Sequence, residues 1–213
     1  MSQKPRLGPL VAAFFRHGSN TPMAACLVGL ATWLLLNAPQ PILLAWAALG
    51  VLMFPFYEYV FHRFVLHTPP ARSRVLVWFQ RQVHADHHED NRRLDRLFTP
   101  LWAFPPLVVG QAAAYLALGT PLPVAFALLF GNLAGFLYYE WVHYIAHVPY
   151  VPKTAWGRQM KAHHLRHHHK HERYWFGVTT PFVDKLFRTD PPIEAVAQSP
   201  TARQIHGDDR AGG

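Results

Sequence analysis

The chain has 213 residues, of which 51% are hydrophobic and only 15% charged, against about a quarter charged in ordinary soluble proteins. It is one domain, apolar enough for a bilayer. A formal net charge of +8 would suit nucleic acid, but no Lys or Arg lies between Arg16 and Arg63 or between Arg96 and Lys153. Those gaps hold long apolar runs, so the cations flank membrane segments and nucleic acid is excluded as the partner. A single cysteine, Cys26, excludes an internal disulfide and any CxxC thiolate metal site.

In chain order, residues 1–20 read as a cytoplasmic segment whose Lys4, Arg6 and Arg16 precede an uncleaved first membrane helix rather than a secretion signal. Four apolar spans follow, at 21–36, 42–61, 101–118 and 122–142. The first is short beside the roughly 20 residues a bilayer core needs, and tilt or Phe14 and Phe15 extend it. The turns Asn37–Pro41 and Gly119–Pro121 are too tight for anything but two helical hairpins. Of the twenty Lys and Arg, three precede the first hairpin, seven lie in 62–99 and ten in 148–213. The positive-inside rule then puts both termini and the intervening segments in the cytoplasm. The membrane domain runs over 21–190, and 191–213 reads as a flexible tail.

Ten of the fifteen histidines form two sets of five. His67, His84, His87 and His88 recur 80 residues later as His147, His164, His167 and His168, while His62 and His143 are 81 apart. The aromatic-glutamate runs Tyr57-Glu58-Tyr59-Val60 and Tyr139-Glu140-Trp141-Val142 also correspond, as do Thr99-Pro100 and Thr180-Pro181. The halves therefore look duplicated, and two similar arms are expected to close around one site.

His143 and His147 share one helical face, as does each HxxHH triplet. His62 and His67, five apart, lie about 140° apart on an ideal helix, so this pair is expected to straddle a helix end at the Pro69-Pro70 break. His62 and His143 fall where the second and fourth spans emerge, which places the site at the inner membrane surface under a cap of cytoplasmic helices.

Ten imidazoles exceed the capacity of one ion; two ions with about five nitrogens each leave room for oxygen or water. An all-nitrogen, thiolate-free shell suits iron or zinc, and only iron is redox-active. Glu58, Asp86, Glu89 and Glu140 are the candidate acceptors for the outward ring nitrogens. His163, His169 and His171 flank the last triplet; His164 is preferred because it alone keeps both the HxxHH spacing and the 80-residue offset.

The spacings His62-x4-His67, His84-x2-His87-His88, His143-x3-His147 and His164-x2-His167-His168, with the closing segment Phe176–Phe187, resemble the fatty acid hydroxylase/sterol desaturase superfamily of membrane di-iron enzymes over residues 40–190. The short third motif is most similar to the fatty acid 2-hydroxylase branch, in which an acidic residue three positions before the third-motif histidine supports the site; Glu140 stands there. The resemblance implies an all-α integral membrane protein of four transmembrane helices in two hairpins, with a histidine-rich cytoplasmic cap holding two iron ions. Zinc would be a substitute. It implies hydroxylation of an acyl C–H bond with O2, and no catalytic residue separate from the metal ligands.

The sequence carries no cytochrome b5-like domain, so electrons are expected from an external ferredoxin, cytochrome b5 or reductase. The partners are a membrane lipid and that donor; the oligomeric state stays open. The Ala-, Arg- and Pro-rich composition suggests a bacterial inner membrane, or the ER membrane if eukaryotic. A sterol, carotenoid or other lipid desaturase or oxidase is the alternative. A metal transporter is disfavoured, because transporters place ligands near the bilayer midplane and these histidines lie at span ends.

Overall fold

A computed structural model describes residues 7–68, 73–91, 93–203 and 205, and among these it is helical without strands. A short α1 (Leu7–Arg16) leads into α2 (Asn20–Asn37) and α3 (Ile42–Phe61), which continues through a π-helical turn at His62–Leu66. Next, α4 (Arg74–Gln80) passes through a second π turn (Arg81–Ala85) into α5 (Asp86–Glu89). The remaining helices are α6 (Phe104–Ala117), α7 (Leu122–His147), α8 (Ala155–His169) and α9 (Phe182–Leu186).

Among the described residues, three helical stretches are long and apolar enough to cross a bilayer: Asn20–Asn37, Ile42–Leu66 and Leu122–His147, with mean hydropathies of 1.2, 1.5 and 1.6. Their outward faces keep large apolar side chains exposed, Leu36 at 78% and Leu44 at 75%, as lipid-facing positions must. The third expected span is shorter than its apolar run. Residues 101–103 form a turn and α6 has 14 residues, a length of about 21 Å against a hydrocarbon core of roughly 30 Å. Pro105 and Pro106 stand in the first turn of α6, where a missing N–H costs nothing; carried further back, the helix would need those N–H groups as donors, so it starts there.

The centre of the bundle is the crossing of α3 and α7. Gly50 and Gly131 bring the two backbones together, and a Cβ on either would collide with a carbonyl of the opposite helix, Leu128 O or Ala47 O. Small residues allow this approach where lipid offers no hydrophobic drive for helix association. Met23 of α2, Tyr115 of α6 and Leu128, Leu129 and Leu133 of α7 pack around it. A second cluster, of Phe14, Leu97, Phe98, Tyr144 and Ile145, ties α1 and the segment before α6 to the far end of α7.

Candidate metal centre

His143 and His147 are one turn apart on α7, and α8 carries His164, His167 and His168. Thr154 caps the first turn of α8 by accepting from the Gly157 N–H at 3.0 Å. Lys161 of α8 donates to the carbonyls of Ile145, Val148 and Tyr150 at 3.0, 2.6 and 3.0 Å. This cation at the C-terminal end of α7 both satisfies its last carbonyls and sets the angle between the two histidine-bearing helices.

The first half solves a harder problem. On an ideal helix His62 and His67 would diverge, but the chain closes the wider π turn there, with the His67 N–H donating to the His62 carbonyl at 3.1 Å. The extra residue per turn brings both rings to the same side. The Pro69-Pro70 break, expected to release this pair from the helix, lies outside the described residues. A second π turn at Arg81–Ala85 feeds His84, His87 and His88 inward.

The ten histidines gather into two groups of five, the ligating nitrogens within each lying within 4.8 Å of one another. The first group is His62, His67, His84, His88 and His167; the second is His87, His143, His147, His164 and His168. Each half thus supplies four members of one group and lends the middle histidine of its HxxHH triplet to the other. In the first group, the Nε2 atom of His84 lies 3.1 Å from that of His62 and 2.8 Å from that of His67, which is 3.0 Å from that of His167. In the second, His87 Nε2 lies 3.1 Å from both His143 and His147, and His147 lies 2.8 Å from His164.

These separations fit metal ligation. Two nitrogens at right angles on one ion, each about 2.0–2.1 Å from it, are about 2.9 Å apart. Hydrogen bonding cannot satisfy all of them: with His62 and His167 only accepting at Nε2, His84 and His67 must both donate, and their two N–H groups then face each other across 2.8 Å. A carbonyl only accepts, so the Nδ1 atoms of His62, His167 and His88 donate to Phe176, Tyr174 and Ala202 at 2.6, 2.8 and 2.9 Å. Each of those rings then turns a bare Nε2 lone pair inward. His88 Nε2 and both ring nitrogens of His168 are buried with no protein partner. Burial, with the surrounding imidazoles as a further cause, pushes His84, His87, His164, His167 and His168 well below the usual histidine range. Burial lowers His88 to about 3, against the opposing Ala202 carbonyl. The rings are therefore neutral, the form that binds metal.

The carboxylates singled out in the sequence occupy other positions. Asp86 pairs with Arg96 at 3.6 Å and Arg81 at 3.9 Å, and Glu89 with Arg81 at 4.0 Å. Glu58 accepts from the Val178 and Thr179 backbone N–H groups and the Thr179 hydroxyl, while Glu140 accepts from the Thr99 N–H at 3.0 Å. Each glutamate binds the closing segment of the other half, the same exchange that the histidines make. His163 is buried outside both groups, with Nε2 3.2 Å from Asp184; His169 and His171 lie beside Asn91 and Glu172. Asp184, which sequence reasoning left without a role, also accepts from the Phe176 and Gly177 N–H groups at 2.9 and 2.6 Å. The outward acceptors found here are backbone carbonyls, which carry no signature in a sequence.

A cavity of about 780 Å³ lies between α3, α6 and α7 and reaches the first group. Phe54, Phe61, Leu107, Leu133 and Phe136 make it apolar, and Glu58, His62 and Tyr139 line its histidine end. Val60 and Leu107, half exposed, stand where it meets the outer surface between α3 and α6.

A model of the fatty acid hydroxylase family matches residues 46–189. Fatty acid 2-hydroxylase of Mus musculus is 34% identical over 161 residues, covering 74% of this chain and 42% of its own. A dihydroceramide fatty acyl 2-hydroxylase of Arabidopsis thaliana is 31% identical over 160 residues, 71% of this chain and 62% of its own. A solved structure described as full-length scs7p with only the hydroxylase domain visible superposes with a TM-score of 0.73 at 27% identity, over 85% of this chain and 68% of that one. The chain spans about two fifths of the length of the mouse relative. With the histidine spacings, the matched region and the shared fold in agreement, the chain belongs to the fatty acid hydroxylase family.

Proposed function

We propose that this protein is a membrane oxidoreductase that hydroxylates the acyl chain of a lipid, using dioxygen and two external electrons at a pair of iron ions. The observation that carries this reading is the junction of two five-histidine groups with an apolar cavity that reaches His62. The relatives are named for fatty acid 2-hydroxylation and, in plants and yeast, for dihydroceramide and ceramide acyl chains, which makes an acyl chain the substrate class for this one.

His62, His67, His84, His88 and His167 would hold one ion, and His87, His143, His147, His164 and His168 the other. The chemistry such a pair supplies is reductive use of O2: one oxygen atom enters the C–H bond and the other leaves as water, with two electrons and two protons consumed. The neutral rings keep their Nε2 lone pairs aimed inward. Phe61, Leu133 and Phe136 exclude water and hold the chain extended, so that one methylene lies next to His62; such placement decides which carbon is oxidised. Glu58 and Glu140 fix the closing segments around the histidines and so position the rings.

The proposed topology retains four spans. The short α6 pairs with α7 as a second hairpin, accommodated by tilt or local thinning of the bilayer. The histidine-bearing α5 and α8 lie on the cytoplasmic side with both termini, where the Lys and Arg residues concentrate. A separate cytoplasmic redox protein delivers the electrons.

The test is expression with a compatible reductase and mass spectrometry of total lipids, beside a His87→Ala/His167→Ala control. Acyl chains heavier by one oxygen, absent in the control, are expected. Loss of two hydrogens instead would make the protein a desaturase. No acyl change in a protein carrying two irons and supplied with reductant would sink the acyl reading.

A further inference from the structure

The two histidine groups have the same inner geometry and different outer surroundings. In the first, the outward Nδ1 atoms of His62, His167 and His88 each donate to a backbone carbonyl, of Phe176, Tyr174 and Ala202. In the second, the Nδ1 atoms of His87, His143, His164 and His168 are buried with no protein acceptor. All three acceptors come from the C-terminal part of the chain, and each is anchored, the Tyr174 peptide by the Trp175 N–H donating to the Thr189 carbonyl at 2.8 Å. Asp184 grips the Phe176 and Gly177 N–H groups. Ala202, 2% exposed, lies in a strap that crosses the end of α8. There the Ser199 N–H donates to the Lys170 carbonyl at 2.9 Å, the Ser199 hydroxyl accepts from the Thr201 N–H at 3.2 Å, and the Thr201 hydroxyl donates to Glu172 at 2.7 Å. The segment expected as a flexible tail thus supplies a carbonyl to His88.

We infer that this C-terminal backbone makes the two groups unequal metal sites, the first retaining its ion and the second exchanging it. The inference rests on the metal reading above. A ring that ligates through Nε2 must carry its proton on Nδ1. In His62, His88 and His167 of the first group that proton already has an acceptor, which locks the tautomer, aims the ring and raises its basicity. In the second group the same proton is a buried donor without a protein partner, a penalty on the metal-bound form. Loss of such outer partners lowers metal affinity roughly 10- to 100-fold.

The test loads the full chain with two equivalents of cobalt(II), whose histidine complexes absorb visible light, and follows release to excess chelator. Two phases about 10- to 100-fold apart are expected. His67→Ala should abolish the slow phase and His147→Ala the fast one. In Ser199→Ala/Thr201→Val, and in a chain lacking residues 197–203, the slow phase should accelerate toward the fast one while the fast one stays put. Thermal unfolding checks that both variants remain folded. A single release phase would overturn the inference, as would strap variants that speed both phases equally, since general loosening acts on both sites. Uptake of fewer than two ions would instead overturn the metal reading on which it stands.

Discussion

His87 and His88 are neighbours on α5, yet their rings enter different groups, as do those of His167 and His168 on α8. Each dipeptide is a rigid bridge between the two sites, so neither site can be assembled from one half of the chain. The double-mutant consequence is sharp, because residues sharing a site are not independent. His87→Ala should reduce bound metal from two ions per chain to about one, and adding His143→Ala should change little, since both belong to one group. Combining His87→Ala with His62→Ala should empty both. Metal analysis of the purified variants checks this, and equal losses from the two double variants would refute the exchanged arrangement.

The ten histidines and their helices were legible in the sequence because period and offset are carried by side chains. Their division was not, since His87 and His88 look equivalent in HxxHH and only the packing of α5 against α8 separates them. The π turn at His62–Leu66 was equally hidden: five-residue spacing conflicts with an ideal helix, and backbone hydrogen bonding, which leaves no mark in a sequence, brings the two rings together. The shortness of α6 could have been foreseen, since Pro105 and Pro106 stand in its apolar run. The outer carbonyls of Tyr174, Phe176 and Ala202 could not.

The buried imidazoles give the metal-free protein a defined pH dependence. Free histidine titrates near 6.5, while burial holds His84, His87, His164, His167 and His168 well below that and His88 near 3. Below 6.5 the unfolded chain binds protons that the folded chain refuses. The stability these groups contribute is therefore present above pH 6.5 and lost as pH falls through 6.5 toward 3. Each proton taken up on unfolding contributes a slope of about 1.4 kcal/mol per pH unit. Thermal unfolding of the metal-free protein in detergent should show a falling midpoint from pH 7.5 to 5.5. A flat profile would mean that the rings are not dry.

The α3–α7 crossing predicts a stability defect with no chemical component. At Gly131 a Cβ would meet the Ala47 carbonyl, and at Gly50 the Leu128 carbonyl, and neither backbone can swing aside as a long side chain would. Gly131→Val should destabilise by about 1–3 kcal/mol or more, as overpacking does. Gly110, with nothing within 4 Å of an added Cβ, should accept Ala without loss and provides the control. Unfolding midpoints in one detergent compare the two.

The acyl path proposed through the cavity can be tested separately from the proposed metal sites. Leu107 lines it on α6 and is 42% exposed toward the outer surface, so a larger ring fits there without disturbing either histidine group. Leu107→Trp should block entry of an acyl chain and lower kcat/KM at least about tenfold, equivalent to 1.4 kcal/mol of lost transition-state stabilisation. Bound metal should remain at the wild-type level, because among the described residues the carbonyls that accept from the histidine Nδ1 atoms, those of Phe176, Tyr174 and Ala202, all lie outside α6. Leu133→Trp fills the same space from α7, within the core packed against Tyr115 and Leu129, and should lower activity with some loss of stability. Product analysis and metal content of both variants decide the matter. Full activity in Leu107→Trp would show that the chain reaches the histidines by a path other than the gap between α3 and α6.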